Sequence, residues 1–547
     1  MLKEIQSNAF KSNDQIRPAI LFKKGLNVVK GPDDFVNSIG KSTFLMAIDF
    51  VFGGDDYVDK LKNVQKYVGE HDINFTFEFE KEYYFSRSTE TSSLVTVCNK
   101  GYIQTTEKWS INDYNKWLKD KYRIENSLSI RQIVSRFFRI YNRENLDEQL
   151  PLRMYKDETE TKSIESIIKL FEMYGPIEKS SQEAKESEDR KSAFTDAQKF
   201  EYIPKINKTK YTSNIKRIEE LNDQKNELAE KSSKNLLDLD SEKASVILKL
   251  SDELSTFKKQ RGKLYYKLDK IKKDIQSESA NYQADFSVLK EFFPQVNEER
   301  LQTVELFHRD ITNIMSSELK EAEKKTWNLV NLLNVQIKEL ENSIDKIQKV
   351  SHVSKVVLDE YAKIDKELNA LKNENECYDK LNELDQVYKE KTGLLANDTM
   401  IQASYLQENL NAKMLDLNTK IFGINYNSPR ISFISPKHYD FYTPDDDGTG
   451  TNFKGMILLD LACLALTCLP ALVHDSVVLK QISKSSIEKI FELYSNVDEQ
   501  IFISFDNVSS YTNRTIEIVD DKTVLYLSGG RNTLFDMQFG KKQGVAK

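Results

Sequence analysis

The 547-residue sequence predicts an α/β domain written in two separate pieces, with a long antiparallel coiled-coil arm inserted between them. Three observations carry this reading. Both ends of the chain alternate short apolar runs with amphipathic segments. The middle, from residue 178 to 412, is rich in Lys, Glu, Asp, Asn and Ser, with apolar residues at heptad spacing. A proline, Pro294, sits near the centre of that middle region.

Composition agrees. Charged residues make up 30% of the chain, and glycine (18) and proline (10) are scarce, a mix that suits long solvated helices better than several compact cores. The expected divisions are a first head piece at 1–177, an outgoing arm at 178–293, a tip at 294–300, a returning arm at 301–412 and a second head piece at 413–547.

In the first piece, Ile20-Leu21-Phe22 and Leu26-Asn27-Val28-Val29 are apolar runs separated by Lys-Lys-Gly and read as a hairpin. Ile73 to Phe79 alternates with period two, and Tyr83–Phe85 and Leu94–Val97 read as further strands. Asn112 to Phe138 reads as helix. In the arm, Leu250, Leu254, Phe257, Leu264, Leu268, Ile271 and Ile275 form a seam with Arg261 at one position. Val330, Leu333, Ile337, Leu340, Ile344 and Ile347 form another, and Val357, Tyr361, Ile364, Leu368 and Leu371 continue it. Seams of this period require a partner helix. Pro294 breaks the helix between two arms of nearly equal length, so the seams pair within one chain. An intermolecular coil is the alternative, and it leaves both flanking pieces incomplete. Tyr202-Ile203-Pro204 is expected to interrupt the outgoing arm. In the second piece, Arg430–Ile434, Ala471–Val473 and Ile501–Phe505 read as strands, and Ser485–Tyr494 as a helix.

Met456 to Val473 is apolar enough to suggest a membrane span, but Asp460 and Pro470 lie inside it. A charge facing lipid is costly, so a buried helix followed by a buried strand is expected, and no membrane partner. The N-terminus has no apolar secretory segment. Cys98, Cys377, Cys463 and Cys468 include no CxxC pair, which points to a reducing, cytoplasmic compartment and rules out a cysteine zinc hook at the arm tip. The formal net charge of −7 gives no global footprint for nucleic acid, so any such contact must be local.

Chemistry concentrates at Asn37-Ser38-Ile39-Gly40-Lys41-Ser42-Thr43. An apolar strand precedes this segment and an apolar helix follows, the setting of a phosphate loop. There, backbone N–H groups and the helix N-terminus surround a β-phosphate. Lys41 would neutralise β/γ oxygens, and Ser42 would offer a hydroxyl to Mg²⁺. The loop is enlarged: the usual first glycine falls on Phe35, while Gly31 lies four residues earlier. Asp33 and Asp34 are expected to point away from phosphate. The acidic Mg²⁺ partner is Asp475, at the end of an apolar strand. Ser476 follows, where a water-activating glutamate stands in ordinary ABC ATPases, and a serine cannot act as that base. ATP and Mg²⁺ are therefore the expected cofactors, with Asp475 and Ser476 at the catalytic positions. Gly448 and Gly450, in the loop Asp445 to Thr451 before the apolar helix, form a second candidate anion site. Arg136, Arg139 and Arg143 share one face if their segment is helical and are candidate DNA-phosphate contacts. Surface ion pairing is the alternative. Arg87, at a strand end, is a weaker candidate for reaching nucleotide. His474 reads as a strand residue.

With these residues placed, the sequence resembles the SMC/RecN superfamily. More narrowly, it resembles the SMC-like subunit of bacterial ABC three-component systems, of which Lamassu anti-phage defence is the known example. The resemblance rests on NSIGKST followed by IDFVFGGDDY, RQIVSRFFR where a Q-loop would be, FFPQVNEERLQTVELFH at the tip, and FKGMILLDLACLALTCLPALVHDS. It implies an ABC-type ATPase head and a DNA-sensing ATPase that dimerises head to head and embraces double-stranded DNA or its ends. It also implies a partner effector, possibly a nuclease, and a small accessory subunit. The HDS ending occurs within that family. A RecN- or RecF-type repair ATPase should carry a glutamate after Asp475 and an LSGGQ-like loop, and a purely structural coiled coil needs no phosphate loop.

Overall fold

The computed structural model describes the chain except residues 34–37, 236–240, 293–297, 349–354 and 540–547. It divides into two compact units: Met1–Phe194 with Glu383–Lys547, and Thr195–Asn382.

The first unit is an α/β head built from both ends of the chain. Its central parallel sheet has five strands in the order Phe138–Arg139, Ala471–His474, Gln500–Phe505, Leu26–Lys30, Thr523–Tyr526. Strands from the two pieces interleave. Leu26–Lys30 lies between two strands of the second piece, and Phe138–Arg139 is paired to Ala471–His474 at one edge. Residues buried on both faces, such as Val28, Val29, Ile501, Phe502 and Ile503, explain the continuous apolar runs. A six-stranded antiparallel sheet lies beside it, in the order Ile20–Leu21, Leu2–Gln6, Asp72–Glu78, Glu82–Ser88, Leu94–Asn99, Ile103–Ser110.

Two local expectations are corrected. The two apolar runs around Lys23-Lys24-Gly25 do not form a hairpin. Ile20–Leu21 pairs with Leu2–Gln6, whereas Leu26–Lys30 belongs to the parallel sheet. Gly25, at φ 74°, hands the chain from one sheet to the other, and the Asn27 amide braces the turn by accepting from Lys23 N and donating to Lys23 O, both at 2.9 Å. Asn112–Phe138 is two helices, Ile111–Lys121 and Ile130–Phe137, because Ser129 starts a new one with a capping box to Gln132. The hairpin strand His438–Tyr442, paired with Arg430–Ser435, was not anticipated.

The apolar helix Thr449–Leu466 and the strand Ala471–His474 are both buried in the head, as the sequence suggested. Among the described residues, no helix is long and apolar enough to cross a membrane.

In the second unit, helix Ser241–Phe292 packs along helix Glu298–Gln348. Lys258 pairs with Glu341 at 2.8 Å, Arg261 with Asn334 at 3.1 Å, and Lys272 with Glu323 at 3.9 Å. One number falls as the other rises, so the two helices run antiparallel within the chain. Arg261, the odd residue in the seam, is thus satisfied by Asn334. Further along, Lys225 meets Asp365 at 2.6 Å and Lys210 meets Glu374 at 2.9 Å in the same sense. Leu268, Ile271, Val330, Leu333, Ile337, Ile364 and Leu368 are buried in the seam. The outgoing helix breaks between Lys199 and Lys208, around Tyr202-Ile203-Pro204. Pro294 and most of the expected tip lie outside the described residues.

Candidate functional site

The strand Leu26–Lys30 ends at Gly31, whose N–H donates to Phe505 O at 2.7 Å and fixes the exit towards the loop before Lys41. The Lys41 side chain lies directly over Gly31. A Cβ at that position would come 3.0 Å from Lys41 Cδ, so the missing side chain makes room for the lysine. Gly40 sits at φ 100° and is the N-cap of helix Lys41–Val51, with no side chain capping it. A Cβ on Gly40 would lie 2.5 Å from Leu534 Cβ, which fixes glycine there on steric grounds as well. The first N–H groups of an α-helix have no partner within the helix, so an uncapped N-terminus offers donors and a positive dipole end to an anion.

That terminus faces a cavity of about 590 Å³, within the range of nucleotide-sized ligand sites. Ser38, Ile39, Gly40, Lys41, Ser42 and Thr43 line one wall, and Asp475 and Ser476 line another. Lys60, Lys62 and Lys480 also line it, while Asp475 is the one carboxylate among the described lining residues; Asp506 behind the wall pairs with Lys41 and Lys480, and Asp56 with Lys60. Cations so placed beside an uncapped helix N-terminus suit an anionic ligand that can compete with those carboxylates.

Asp475 caps the short helix Ser476–Leu479. Its Oδ1 accepts from Ser476 N at 2.7 Å and from the Ser504 hydroxyl, and its Oδ2 accepts from Tyr141 N at 3.0 Å. The Asp475 N–H continues the sheet ladder to Arg139 O at 2.8 Å. The carboxylate is therefore fixed by three elements, and Oδ2 keeps a lone pair that points to no other protein donor in the described residues. The Ser42 hydroxyl and Asp475 Oδ2 are hard oxygen donors on facing walls, which suits Mg²⁺ held partly through water. When bound, the ion would draw charge from phosphate oxygens; the residues orient and neutralise. Ser476 is nearly buried, and its Oγ leans towards Asp475 Oδ1 at 3.4 Å as a donor. Its proton is directed at a carboxylate, the reverse of what a water-accepting base requires.

The structure thus brings together Ser38 to Thr43, Asp475 and Ser476. Asn37 and Asp34 lie outside the described residues. Asp33 turns away, accepting from Ser509 N at 3.1 Å. Gly448 and Gly450 do not line this cavity. Gly448 caps the apolar helix, its N–H donating to Asp446 at 3.1 Å, and Gly450 packs against the Gln481 carbonyl.

The arginine reading is corrected. Arg136, Arg139 and Arg143 are buried and do not form one surface stripe, because the helix ends at Phe137 and the chain enters a strand. Arg136 makes a bidentate pair with Glu158 at 2.9 and 3.0 Å. Arg139 does the same with Asp460 at 3.0 and 2.9 Å, and also donates to Pro151 O at 2.8 Å. Arg143 holds Asp49 at 2.7 Å and Asp56 at 3.1 Å. DNA phosphates cannot reach guanidinium groups committed in this way. Arg87 is likewise spent inside the head, on Phe50 O and Gly54 O, both at 2.7 Å, and on Asp55. In the segment matched to a Q-loop, the Gln132 side chain is consumed by the capping box, and the cavity is reached instead by Tyr141 and Asn142.

Behind Asp475 runs a buried polar chain. His474 Nε2 meets Asp460 Oδ2 at 3.0 Å, and His474 Nδ1 meets the Tyr494 hydroxyl at 2.6 Å. Burial works to raise the Asp460 pKa, but the Arg139 charge and hydrogen bonds, with those of His474, hold the carboxyl below the usual range. This explains a charge inside an otherwise apolar helix.

Sequence reasoning missed Asp506. It follows the strand Gln500–Phe505 as Asp475 follows its own, and its Oδ2 lies 3.1 Å from Lys41 Nζ. The pattern QIFISFD, an apolar strand closed by an acid, was the available signal.

A family model described as an uncharacterised protein conserved in bacteria (DUF2326) matches residues 406–539. No curated protein matches the chain. Solved structures to which it is similar include an Smc head domain with a coiled coil and joint from Pyrococcus yayanosii, at 12% identity and TM-score 0.40, covering 96% of this chain and 94% of that one. An Smc head domain with an extended coiled coil bound to the C-terminal domain of ScpA, from Pyrococcus furiosus, is similar at 11% identity and TM-score 0.36, covering 96% and 92%. The recombination mediator protein RecF of the RecFOR pathway is similar at 12% identity and TM-score 0.28, covering 94% of each chain.

Proposed function

We propose that this chain is an ATP-binding, slowly hydrolysing ATPase of SMC-like architecture. The observation that carries the reading is the convergence of an uncapped helix N-terminus, Lys41, Ser42 and Asp475 on one lysine-rich cavity. Lys41 and the loop N–H groups bind the phosphates, and Ser42 and Asp475 hold Mg²⁺. Slow turnover follows from Ser476, whose hydroxyl donates to Asp475 and has no means of taking a proton from water.

In this reading the heads dimerise around nucleotide, with the Gly448–Gly450 loop closing on the partner's phosphates. The resemblance in NSIGKST, VHDS and the tip segment supports a sensor of double-stranded DNA in anti-phage or anti-plasmid defence. Such a sensor would control an effector, possibly a nuclease, with a small accessory subunit. Since Arg136, Arg139 and Arg143 are buried, its DNA contact must lie elsewhere.

Equilibrium binding of Mg-ATP to wild type and Lys41→Ala tests the core of the proposal. Removing a charge-assisted contact worth about 1.5–3 kcal/mol should weaken binding at least roughly tenfold; unchanged affinity would sink it. Ser476→Glu should raise turnover if the missing base limits it. Co-purification with the products of neighbouring genes separates defence from repair, because the defence reading requires a bound effector.

A further inference from the structure

Lys480 lies one helical turn beyond Ser476, at the C-terminal end of the short helix that Asp475 starts. Its N–H donates to Ser476 O at 2.9 Å, so the two residues share a face, and both line the cavity. The Lys480 Nζ lies 3.1 Å from Asp506 Oδ2, and the Lys41 Nζ lies 3.1 Å from the same oxygen. Two ammonium groups from opposite walls therefore converge on one buried carboxylate, no more than about 6 Å apart. Their exposure differs: the Lys41 side chain is 8% exposed and that of Lys480 41%, so Lys41 lies deep in the site and Lys480 at its mouth.

Like charges held this close repel, and Asp506 is what offsets the repulsion. A bound polyphosphate brings negative oxygens to the same place and takes over that role. The helix N-terminus and Lys41 approach phosphate from the loop side. Lys480 approaches from the Asp475 side, where the distal phosphate of a triphosphate would stand.

We propose that Lys480 is a second phosphate-binding cation of this site, directed at the terminal phosphate of a nucleoside triphosphate, and that Asp506 positions Lys480 and Lys41 together. The inference rests on the ATP-binding reading above. Asp506 competes with phosphate for both lysines, so the site distinguishes a triphosphate, which engages both, from a diphosphate, which engages Lys41 alone.

The test is equilibrium binding of fluorescent ATP and ADP, each with Mg²⁺, to the full chain and four variants, with thermal melting as a folding control. Lys480→Ala should weaken ATP about tenfold, as expected for one lost charge-assisted contact, and leave ADP within about twofold. Lys480→Arg should restore most of the loss, since the charge is kept. Asp506→Asn should tighten ATP severalfold by removing the competitor. Wild-type ATP affinity in Lys480→Ala, or equal weakening of ATP and ADP, overturns the proposal, as does weaker ATP binding by Asp506→Asn. If Lys41→Ala loses ATP while Lys480→Ala keeps it, only this inference fails. If wild type binds neither nucleotide, the ATPase reading fails with it.

Discussion

The head and the arm handle charge in opposite ways. In the head, Asp49, Glu158 and Asp460 are buried and face Arg131 and Arg143, Arg136, and Arg139 respectively. In the arm, pairs such as Arg217–Glu367 and Lys258–Glu341 have both side chains exposed by more than two-fifths. A buried pair is costly to desolvate and severe to break, because removing one member strands the other away from water. An exposed pair is screened and exchanges easily with solvent. The head thus uses ion pairs to fix which strands and helices meet, while the arm relies on its apolar seam and uses charge to stay soluble and in register.

Acid is the strongest way to break this contrast. Burial alone would raise the pKa of Asp49, Glu158 and Asp460, but the facing arginines outweigh it and hold all three below the ordinary carboxylate range. Their folded pKa is thus lower than the unfolded value of roughly 4. The stability they supply is complete above that pH and is lost as pH falls through the folded values. Near-ultraviolet circular dichroism, reporting the aromatic-rich head, should collapse at acid pH with little dependence on salt. The helical signal of the arm should respond less, and any response should shrink as salt is added.

A smaller effect is expected from one substitution. Arg139→Ala leaves Asp460 buried and only partly satisfied by His474, and should destabilise the head by about 3–5 kcal/mol in urea unfolding. A midpoint within error of wild type would mean that the pair contributes nothing to holding the apolar helix against the sheet. The smallest effect belongs to the arm: Arg217→Ala, losing Glu367 and Glu220 at an exposed site, should leave the unfolding midpoint unchanged. A clear drop there would blur the distinction between the two regions.

The same contrast explains what the sequence made legible. Seam residues such as Leu268 and Ile337 announce themselves by period, because a helix repeats its environment locally. The strand–loop–helix around Gly40 was readable because strand, glycine and helix are consecutive in NVVKG to FLMAIDF. The α/β head with an inserted antiparallel arm followed from those two signals. The arginines were misread because their partners, Glu158, Asp460 and Asp49, lie 22, 321 and 94 residues away in sequence. Only the tertiary fold brings them near, and assigning a single helix across Phe137 put them on a face that does not exist. The false hairpin has the same origin, since Gly25 permits a turn but does not say which sheet receives the next strand. Asp506 was passed over because its local pattern, an apolar strand closed by an acid, does not say that the carboxylate meets Lys41 on another element.

The interleaved sheet has a consequence for how the protein is made. The strand Leu26–Lys30 is synthesised roughly 470 residues before its neighbours on both sides, Gln500–Phe505 and Thr523–Tyr526. At roughly 5–20 residues per second, that strand and the loop behind it wait on the order of 25–100 s for their partners. The arm, whose contacts run between its own outgoing and returning helices, can pair during this interval. Until the late strands arrive, the first piece carries two open strand edges and an uncovered apolar face, a state that aggregation or a chaperone can capture. The cavity lined by Lys41 and Asp475 is therefore complete only once the strands on both sides of Leu26–Lys30 have been made.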